Sequence, residues 1–105
     1  MPKTNARRRQ KHVGQPCAYC GVPMEAPSHT GDKRRQMSRD HAMRPKAWAG
    51  RKPERNIVMC CRACNMEKGS RSLPVWLADL LAVGDPRHRH VAVALRAICD
   101  FQPVT

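Results

Sequence analysis

Residues 61–65 read Cys-Arg-Ala-Cys-Asn, and their cysteine spacing repeats that of residues 17–20, which read Cys-Ala-Tyr-Cys. Each pair can supply two thiolates from one turn of backbone, and four thiolates complete the tetrahedral shell of a zinc ion. Gly21 follows the first pair and can adopt the positive φ that turns backbone amides toward the sulfurs. The spacing therefore predicts a structural Zn²⁺ site, which joins two distant parts of the chain and has the ligands Cys17, Cys20, Cys61 and Cys64.

The other two cysteines are not predicted to bind zinc. Only Cys61 keeps the two-residue spacing to Cys64, and neighbouring residues of a strand point to opposite sides, so we expect Cys60 to point into a small core. Cys99 stands alone near the end of the chain, where we expect a small buried apolar residue. Six cysteines can also form three disulfides in a secreted protein, but no signal segment is present and the paired spacing favours metal.

The length and composition indicate one small domain whose core needs a cross-link, such as a bound metal ion, to be stable. A chain of 105 residues has room for a single domain. Such a domain buries only about 60 to 65% of the surface of its unfolded chain. Aromatic residues make up 4% of the sequence, so the core must come from a modest set of aliphatic side chains and two tryptophans. Zinc binding is therefore expected to contribute to folding.

The charge balance favours a polyanion as the partner. Twenty Lys and Arg residues stand against eight Asp and Glu, which gives a formal net charge of +12. Nucleic acid is the first candidate for such a surface. We expect no membrane partner, because no apolar run approaches the roughly 20 residues of a spanning helix, and no small-molecule substrate. The chain is expected to be soluble and cytoplasmic.

The chain divides into three predicted parts. Residues 1–12 lack apolar periodicity and are predicted to be a disordered basic arm, which either binds phosphates or serves solubility alone. Residues 13–72 are predicted to form the zinc-stapled core. Residues 73–105 are predicted to be a helical extension packed on that core, because apolar residues recur at helical spacing and Gly84 interrupts them.

Within the core the pattern predicts two strands and one helix. Residues 36–41 alternate weakly and predict a short strand, and residues 56–61 are apolar and β-branched enough for a second. Residues 62–71 have helical composition and end near Gly69. The segment between the strands contains prolines and basic residues and predicts an ordered loop. The fold class is therefore a small α+β domain stapled by zinc, followed by a helical hairpin over residues 74–101.

Asp40 and His41 close the predicted first strand, between the two cysteine pairs. A carboxylate beside an imidazole offers a hard metal ligand and a base that can accept a proton at neutral pH. Asn56 opens the second strand, and Asn65 directly follows Cys64. A regular strand would send Asp40 and His41 to opposite faces, so both can act at one site only if the strand distorts there.

This order of residues resembles the HNH nuclease family and its ββα-metal motif. The resemblance covers residues 17–71. It rests on Cys17-x2-Cys20, Arg39-Asp40-His41, Asn56-Ile57-Val58, Cys61-x2-Cys64-Asn65 and Lys68-Gly69-Ser70. It implies an endonuclease, a hydrolase that cuts DNA phosphodiester bonds and depends on a metal. Small HNH proteins are often encoded by bacteria, phages or mobile elements.

The resemblance also implies a role for each site residue. His41 would be the general base, while Asp40 and Asn65 would hold one catalytic Mg²⁺ or Mn²⁺ ion. Asn56 would bridge backbone groups and fix the direction of the histidine. Duplex or branched DNA would be the partner. The residues expected to contact it are Arg7, Arg8, Arg9, Arg39, Arg44, Lys46 and Lys68.

Two other interpretations stay open. In one, the protein is a noncatalytic zinc ribbon that binds nucleic acid. In the other, Asp40, His41 and Asn65 are ordinary surface residues beside a structural zinc site. The net charge does not separate these interpretations, because a nuclease must also hold a polyanion.

Overall fold

The structure is a computed structural model that describes residues 13–26, 33–44, 48 and 53–100. This part of the chain is a small α+β domain, as predicted. Its strands and helices, in chain order, are β1 (Met37–His41), β2 (Ile57–Cys61), α1 (Arg62–Lys68), α2 (Leu73–Val83) and α3 (His88–Asp100). Both predicted strands, the following helix and the helical hairpin are therefore confirmed. The predicted basic arm lies outside the described residues.

β1 and β2 form a two-stranded antiparallel sheet. Their register runs from Met37 opposite Cys61 to His41 opposite Ile57. β2 begins one residue later than predicted, because Asn56 closes a short 3₁₀ turn. Since a two-stranded sheet is marginal in water by itself, the sheet depends on the elements that cover it.

The first cysteine pair lies in a tight turn before β1. The Cys17 amide donates to the Val22 carbonyl at 2.7 Å, and the Gly21 amide donates to the Cys17 carbonyl at 2.9 Å. Gly21 has φ +82°, as the sequence predicted for this position. The Ala18 amide donates to the carbonyl of Met59 in β2 at 3.2 Å, so the turn is fastened to the sheet.

α1 follows β2 without a loop and ends at Lys68. Gly69 adopts φ +62°, and its amide donates to the Asn65 carbonyl at 3.1 Å. α2 starts soon afterwards, and the Leu73 amide donates to the Ala42 carbonyl just beyond β1 at 2.8 Å. The helical hairpin is therefore attached to the chain next to the predicted site.

The core lies between the cysteine turn, the sheet and the hairpin. Tyr19 is fully buried and meets Trp76 of α2 edge to face, with ring centroids 5.1 Å apart. Other buried residues from the helices are Leu73, Leu80, Val91 and Ile98. Aromatic pairs in this geometry add about 0.5 to 1.5 kcal/mol beyond the burial of their surface.

The prediction for Cys60 is confirmed, and the prediction for Cys99 is wrong. Cys60 is fully buried in the core, as predicted. Cys99 is exposed, against the prediction, because it is the neighbour of Ile98 on α3 and the next residue of a helix points about 100° away. No described helix is both long and apolar enough to cross a membrane.

Candidate metal centre and basic cavity

The four predicted zinc ligands come together. The Sγ atoms of Cys17, Cys20, Cys61 and Cys64 all lie within 4.8 Å of one another. The Sγ atoms of Cys20 and Cys61 are 3.8 Å apart. A zinc ion bound at about 2.3 Å to each of four tetrahedral sulfurs needs sulfurs about 3.8 Å apart, so the donor set fits zinc. Among the described residues no other group of three or more His, Cys, Asp or Glu side chains meets in this way.

Cys17 is prepared to bind metal as a thiolate. Its pKa is lowered to about 4, because its sulfur accepts a hydrogen bond from the Cys64 thiol and others from backbone amides. The amides of Cys61 and Tyr19 lie 3.2 and 3.3 Å from that sulfur. Burial instead raises the pKa of Cys60, which favours an inert thiol there. The pKa values of the ligands Cys20 and Cys64 are also raised, so the meeting of the four sulfurs, and not the pKa, distinguishes the ligands from Cys60.

Arg87 joins the hairpin to this cysteine cluster. Its Nη1 lies 3.7 Å from the Sγ of Cys64, and its guanidinium sits over Trp76, 5.6 Å from the ring centroid. Asp85 holds the guanidinium through Nη2 at 2.7 Å, and Glu67 contacts the same nitrogen. Four thiolates around Zn²⁺ would carry a net charge of −2, and the Nη1 group of Arg87 can donate a hydrogen bond to one of these sulfurs.

Asn56 bridges the backbone just after β1, as the resemblance implies for this residue. Its Oδ1 accepts from the Met43 amide at 2.8 Å, and its Nδ2 donates to the Met43 carbonyl at 2.9 Å. The Asn56 carbonyl accepts from the Ala42 amide at 2.8 Å. Asn56 is 2% exposed, so these bonds are protected from water. Asn56 therefore holds the backbone of both residues that follow His41. Its carbonyl binds the Ala42 amide, and its side chain binds the backbone of Met43.

Asp40 is buried and already has partners for both carboxylate oxygens. Its Oδ2 accepts from the Tyr19 hydroxyl at 2.6 Å, and the Lys68 ammonium lies 3.3 Å from Oδ1 and 3.2 Å from Oδ2. Burial and the charge of Asp40 raise the pKa of Tyr19 well above its usual range, so the hydroxyl stays protonated and donates. Lys68 also donates to the His41 carbonyl at 3.0 Å.

Asn65 of α1 lies beside β1, and its side-chain amide points toward that strand. Its Nδ2 donates to the Ser38 hydroxyl at 2.6 Å and more weakly to the Arg39 carbonyl at 3.4 Å. As these side chains lie, Asp40 and Asn65 do not fit a divalent ion, because the ammonium of Lys68 occupies the cation side of the carboxylate. The catalytic Mg²⁺ or Mn²⁺ ion stays a prediction.

A cavity of about 350 Å³ opens at this end of the sheet. It gathers three of the four positions that the sequence singled out, Asp40, His41 and Asn65, together with several basic residues. Its lining consists of Arg39, Asp40, His41, Met43, Arg44, Asn65, Lys68, Gly69, Ser70 and Arg71. Three arginines and a lysine against one carboxylate give the cavity an excess of positive charge, which suits an anionic ligand.

The residues predicted to contact DNA fall into three groups. Arg39 and Arg44 are exposed and line the cavity. Arg7, Arg8, Arg9 and Lys46 lie outside the described residues. Lys68 is only 2% exposed, which is at odds with the expectation that it reaches a phosphate from the surface. Its ammonium instead forms an ion pair with the Asp40 carboxylate.

His41 and Asp40 differ in surroundings although they are neighbours. β1 keeps its regular pairing through His41, which is exposed, whereas Asp40 is 5% exposed. Both nevertheless line the same cavity. Sequence reasoning did not find Tyr19 as a partner of Asp40, since the contact spans 21 residues and a tyrosine between two cysteines carries no signal of it.

This chain matches no protein-family model, and comparisons with curated proteins and with solved structures also give no match.

Proposed function

We propose that this protein is an endonuclease that hydrolyses phosphodiester bonds of DNA at the basic cavity, as the resemblance to HNH nucleases implies. One observation carries the proposal: Asp40, His41 and Asn65, which the resemblance singles out, line one cavity together with exposed arginines. This lining places a candidate base, His41, beside positive charges that can hold a phosphate.

In this proposal His41 is the general base. Its exposed imidazole accepts a proton from a water molecule, and the oxygen of that water forms a bond to phosphorus. The bond from phosphorus to the 3′-oxygen breaks, and the leaving oxygen takes a proton from solvent. The products are a 5′-phosphate and a 3′-hydroxyl. General-base catalysis of this kind contributes about 10² to 10⁴-fold to the rate.

Other residues would hold the base and the substrate in place. Asn56 fixes the backbone at Met43, and the ammonium of Lys68 holds the His41 carbonyl at 3.0 Å, so the backbone around the base is restrained on two sides. Arg39 and Arg44 would contact phosphates and release counterions. Positioning by such restraints is a general source of catalytic rate.

The two metals have different places in the proposal. Zinc held by four cysteines has no open coordination position, so it would stabilise the fold and take no part in the reaction. The Mg²⁺ or Mn²⁺ ion that the resemblance implies is retained as a proposed requirement. Asp40 is paired with Lys68, so its carboxylate is not free to hold that ion as the side chains lie.

A noncatalytic nucleic-acid-binding protein is the second candidate. The observation that favours it is the same ion pair, since a carboxylate held by Lys68 and Tyr19 serves structure without any need for catalysis. The formal net charge of +12 suits both candidates.

A cleavage assay on supercoiled plasmid distinguishes the endonuclease from the noncatalytic nucleic-acid-binding protein. The zinc-loaded protein is incubated with plasmid and either Mg²⁺ or Mn²⁺, and His41→Ala is purified in parallel to control for a contaminating nuclease. The proposal predicts nicked or linear product with the wild type and little with the variant. Plasmid that is bound but uncut under every metal condition would establish the binding protein instead.

A further inference from the structure

The ion pair between Asp40 and Lys68 stands where a divalent ion is expected. Asp40 is 5% exposed and Lys68 is 2% exposed, so both charges are removed from water. The ammonium lies within 3.3 Å of both carboxylate oxygens and is fixed by the His41 carbonyl as well. Tyr19 occupies a further position on Oδ2. Each oxygen of the carboxylate therefore has at least one partner from the chain itself.

We propose that Lys68 is the resident cation of this site and excludes a divalent ion from Asp40 in the DNA-free protein. A buried carboxylate needs one positive partner, because an uncompensated charge in the interior is strongly unfavourable. It cannot keep two, since an ion on the same oxygens would lie within a few ångströms of the ammonium. Lys68 and a metal ion therefore compete for one position.

The chain favours Lys68 in that competition. The ammonium is tethered by α1, so its effective concentration at Asp40 is far above that of a free ion. Mg²⁺ and Mn²⁺ prefer several oxygen ligands in near-octahedral geometry, whereas the residues around Asp40 offer few. The only other predicted ligand, Asn65, directs its Nδ2 to Ser38 at 2.6 Å. A metal ion would need further oxygens, which a bound phosphate can supply.

This inference concerns metal loading of the same site and rests on the proposed function for its biological meaning. The test measures metal binding without DNA, so its failure is distinct from a failure of the cleavage assay. Zinc-loaded full-length protein is titrated with Mn²⁺, and free Mn²⁺ is followed by its electron paramagnetic resonance signal. Thiolates strongly prefer Zn²⁺ to Mn²⁺, so the cysteine cluster does not interfere.

Four proteins are compared: the wild type, Asp40→Asn, Lys68→Met and the double variant. We expect the wild type and Asp40→Asn to bind Mn²⁺ equally weakly. Lys68→Met frees Asp40 and should bind one Mn²⁺ at least about tenfold more tightly, by mass action on the released carboxylate. Adding Asp40→Asn to Lys68→Met should remove that gain.

Two results would overturn the proposal. One is Mn²⁺ binding to the wild type that Asp40→Asn abolishes, which would show that an ion reaches Asp40 despite Lys68. The other is a folded Lys68→Met with unchanged Mn²⁺ affinity. If Lys68→Met does not fold, wild type and Asp40→Asn are compared alone, with circular dichroism to show that Asp40→Asn is folded. Asparagine has the shape of aspartate and its Oδ1 can still accept from Tyr19 and Lys68, although the charge of Lys68 loses its partner.

Discussion

The cysteine cluster and the basic cavity are built on the same short scaffold but satisfy their charges in opposite ways. α1 supplies Cys64 to the cluster and Asn65 and Lys68 to the cavity. The cluster collects four like ligands, so it is completed only by an ion from outside. In the cavity the buried carboxylate is completed by the chain's own Lys68. We therefore expect one end of the scaffold to depend on metal for its folding and the other end to fold without it.

The first prediction concerns the dependence of the fold on the cluster. Cys17→Ser or Cys61→Ser should unfold the domain, because structural zinc sites supply roughly 10 to 16 kcal/mol in small zinc-binding peptides. Circular dichroism and elemental zinc analysis measure the effect. Cys60→Ser and Cys99→Ser are the matched controls and should keep one zinc per chain. A zinc site retained in Cys61→Ser and lost in Cys60→Ser would reverse the choice of ligand.

The second prediction compares a buried ion pair with an exposed one. Lys68→Met should lower the free energy of unfolding by about 3 to 5 kcal/mol, because it leaves the buried Asp40 charge unpaired. Asp79→Asn breaks the exposed pair with Arg71, whose atoms are 2.8 Å apart, and should cost less than about 1 kcal/mol. Denaturant titration of both zinc-loaded variants checks this. Equal losses would mean that the cavity end does not depend on its internal pair.

The third prediction concerns the loop that follows His41. Asn56→Ala removes two hydrogen bonds to Met43 and should destabilise the fold by about 1 to 3 kcal/mol, at about 0.5 to 1.5 kcal/mol for each bond. Asn56→Asp can still accept from the Met43 amide, but it places a buried carboxylate oxygen against the Met43 carbonyl, so its loss should exceed that of Asn56→Ala. Chemical denaturation ranks the three proteins. An Asn56→Ala protein as stable as the wild type would show that these two bonds do not hold the loop.

The fourth prediction concerns the arginine beside the cluster. Arg87→Ala should weaken zinc binding by roughly 10 to 100-fold, the usual effect of removing a residue that supports metal ligands. Competition with a coloured zinc chelator measures it. Arg89→Ala, an exposed arginine on α3, is the control and should bind zinc like the wild type. If Arg87→Ala binds zinc as tightly as the wild type, the contact between Arg87 and Cys64 does not support the metal site.

The sequence predicted the cluster more fully than the cavity for a physical reason. Four cysteines at fixed spacing specify ligand type, number and geometry together, and the same local patterns predicted both strands and α1. Cys99 was predicted wrongly, because an apolar stripe does not say on which side of it a flanking cysteine falls. The side chains of Val91 and Ile98 take the buried face of α3 instead.

The cavity depended on contacts between residues distant in sequence. Lys68 follows Asn65 by three positions, which places both on one face of α1, and this spacing was an available signal. That the ammonium would reach Asp40 rather than solvent depends on how α1 packs against β1, which no local pattern states. The same holds for Tyr19, whose hydroxyl reaches Asp40 from the cysteine turn.

We propose that a zinc-stapled scaffold presents His41 as the base of a phosphodiester hydrolase. The most direct test is the single-turnover cleavage rate of zinc-loaded wild type and His41→Ala on labelled duplex DNA with Mg²⁺ or Mn²⁺ present, and DNA affinity is measured on the same samples. His90→Ala, an exposed histidine on α3, is the control. We predict that His41→Ala lowers the rate by about 10² to 10⁴-fold while affinity changes little, because only proton removal is lost. An unchanged cleavage rate in His41→Ala, or no cleavage by the wild type, would contradict the account.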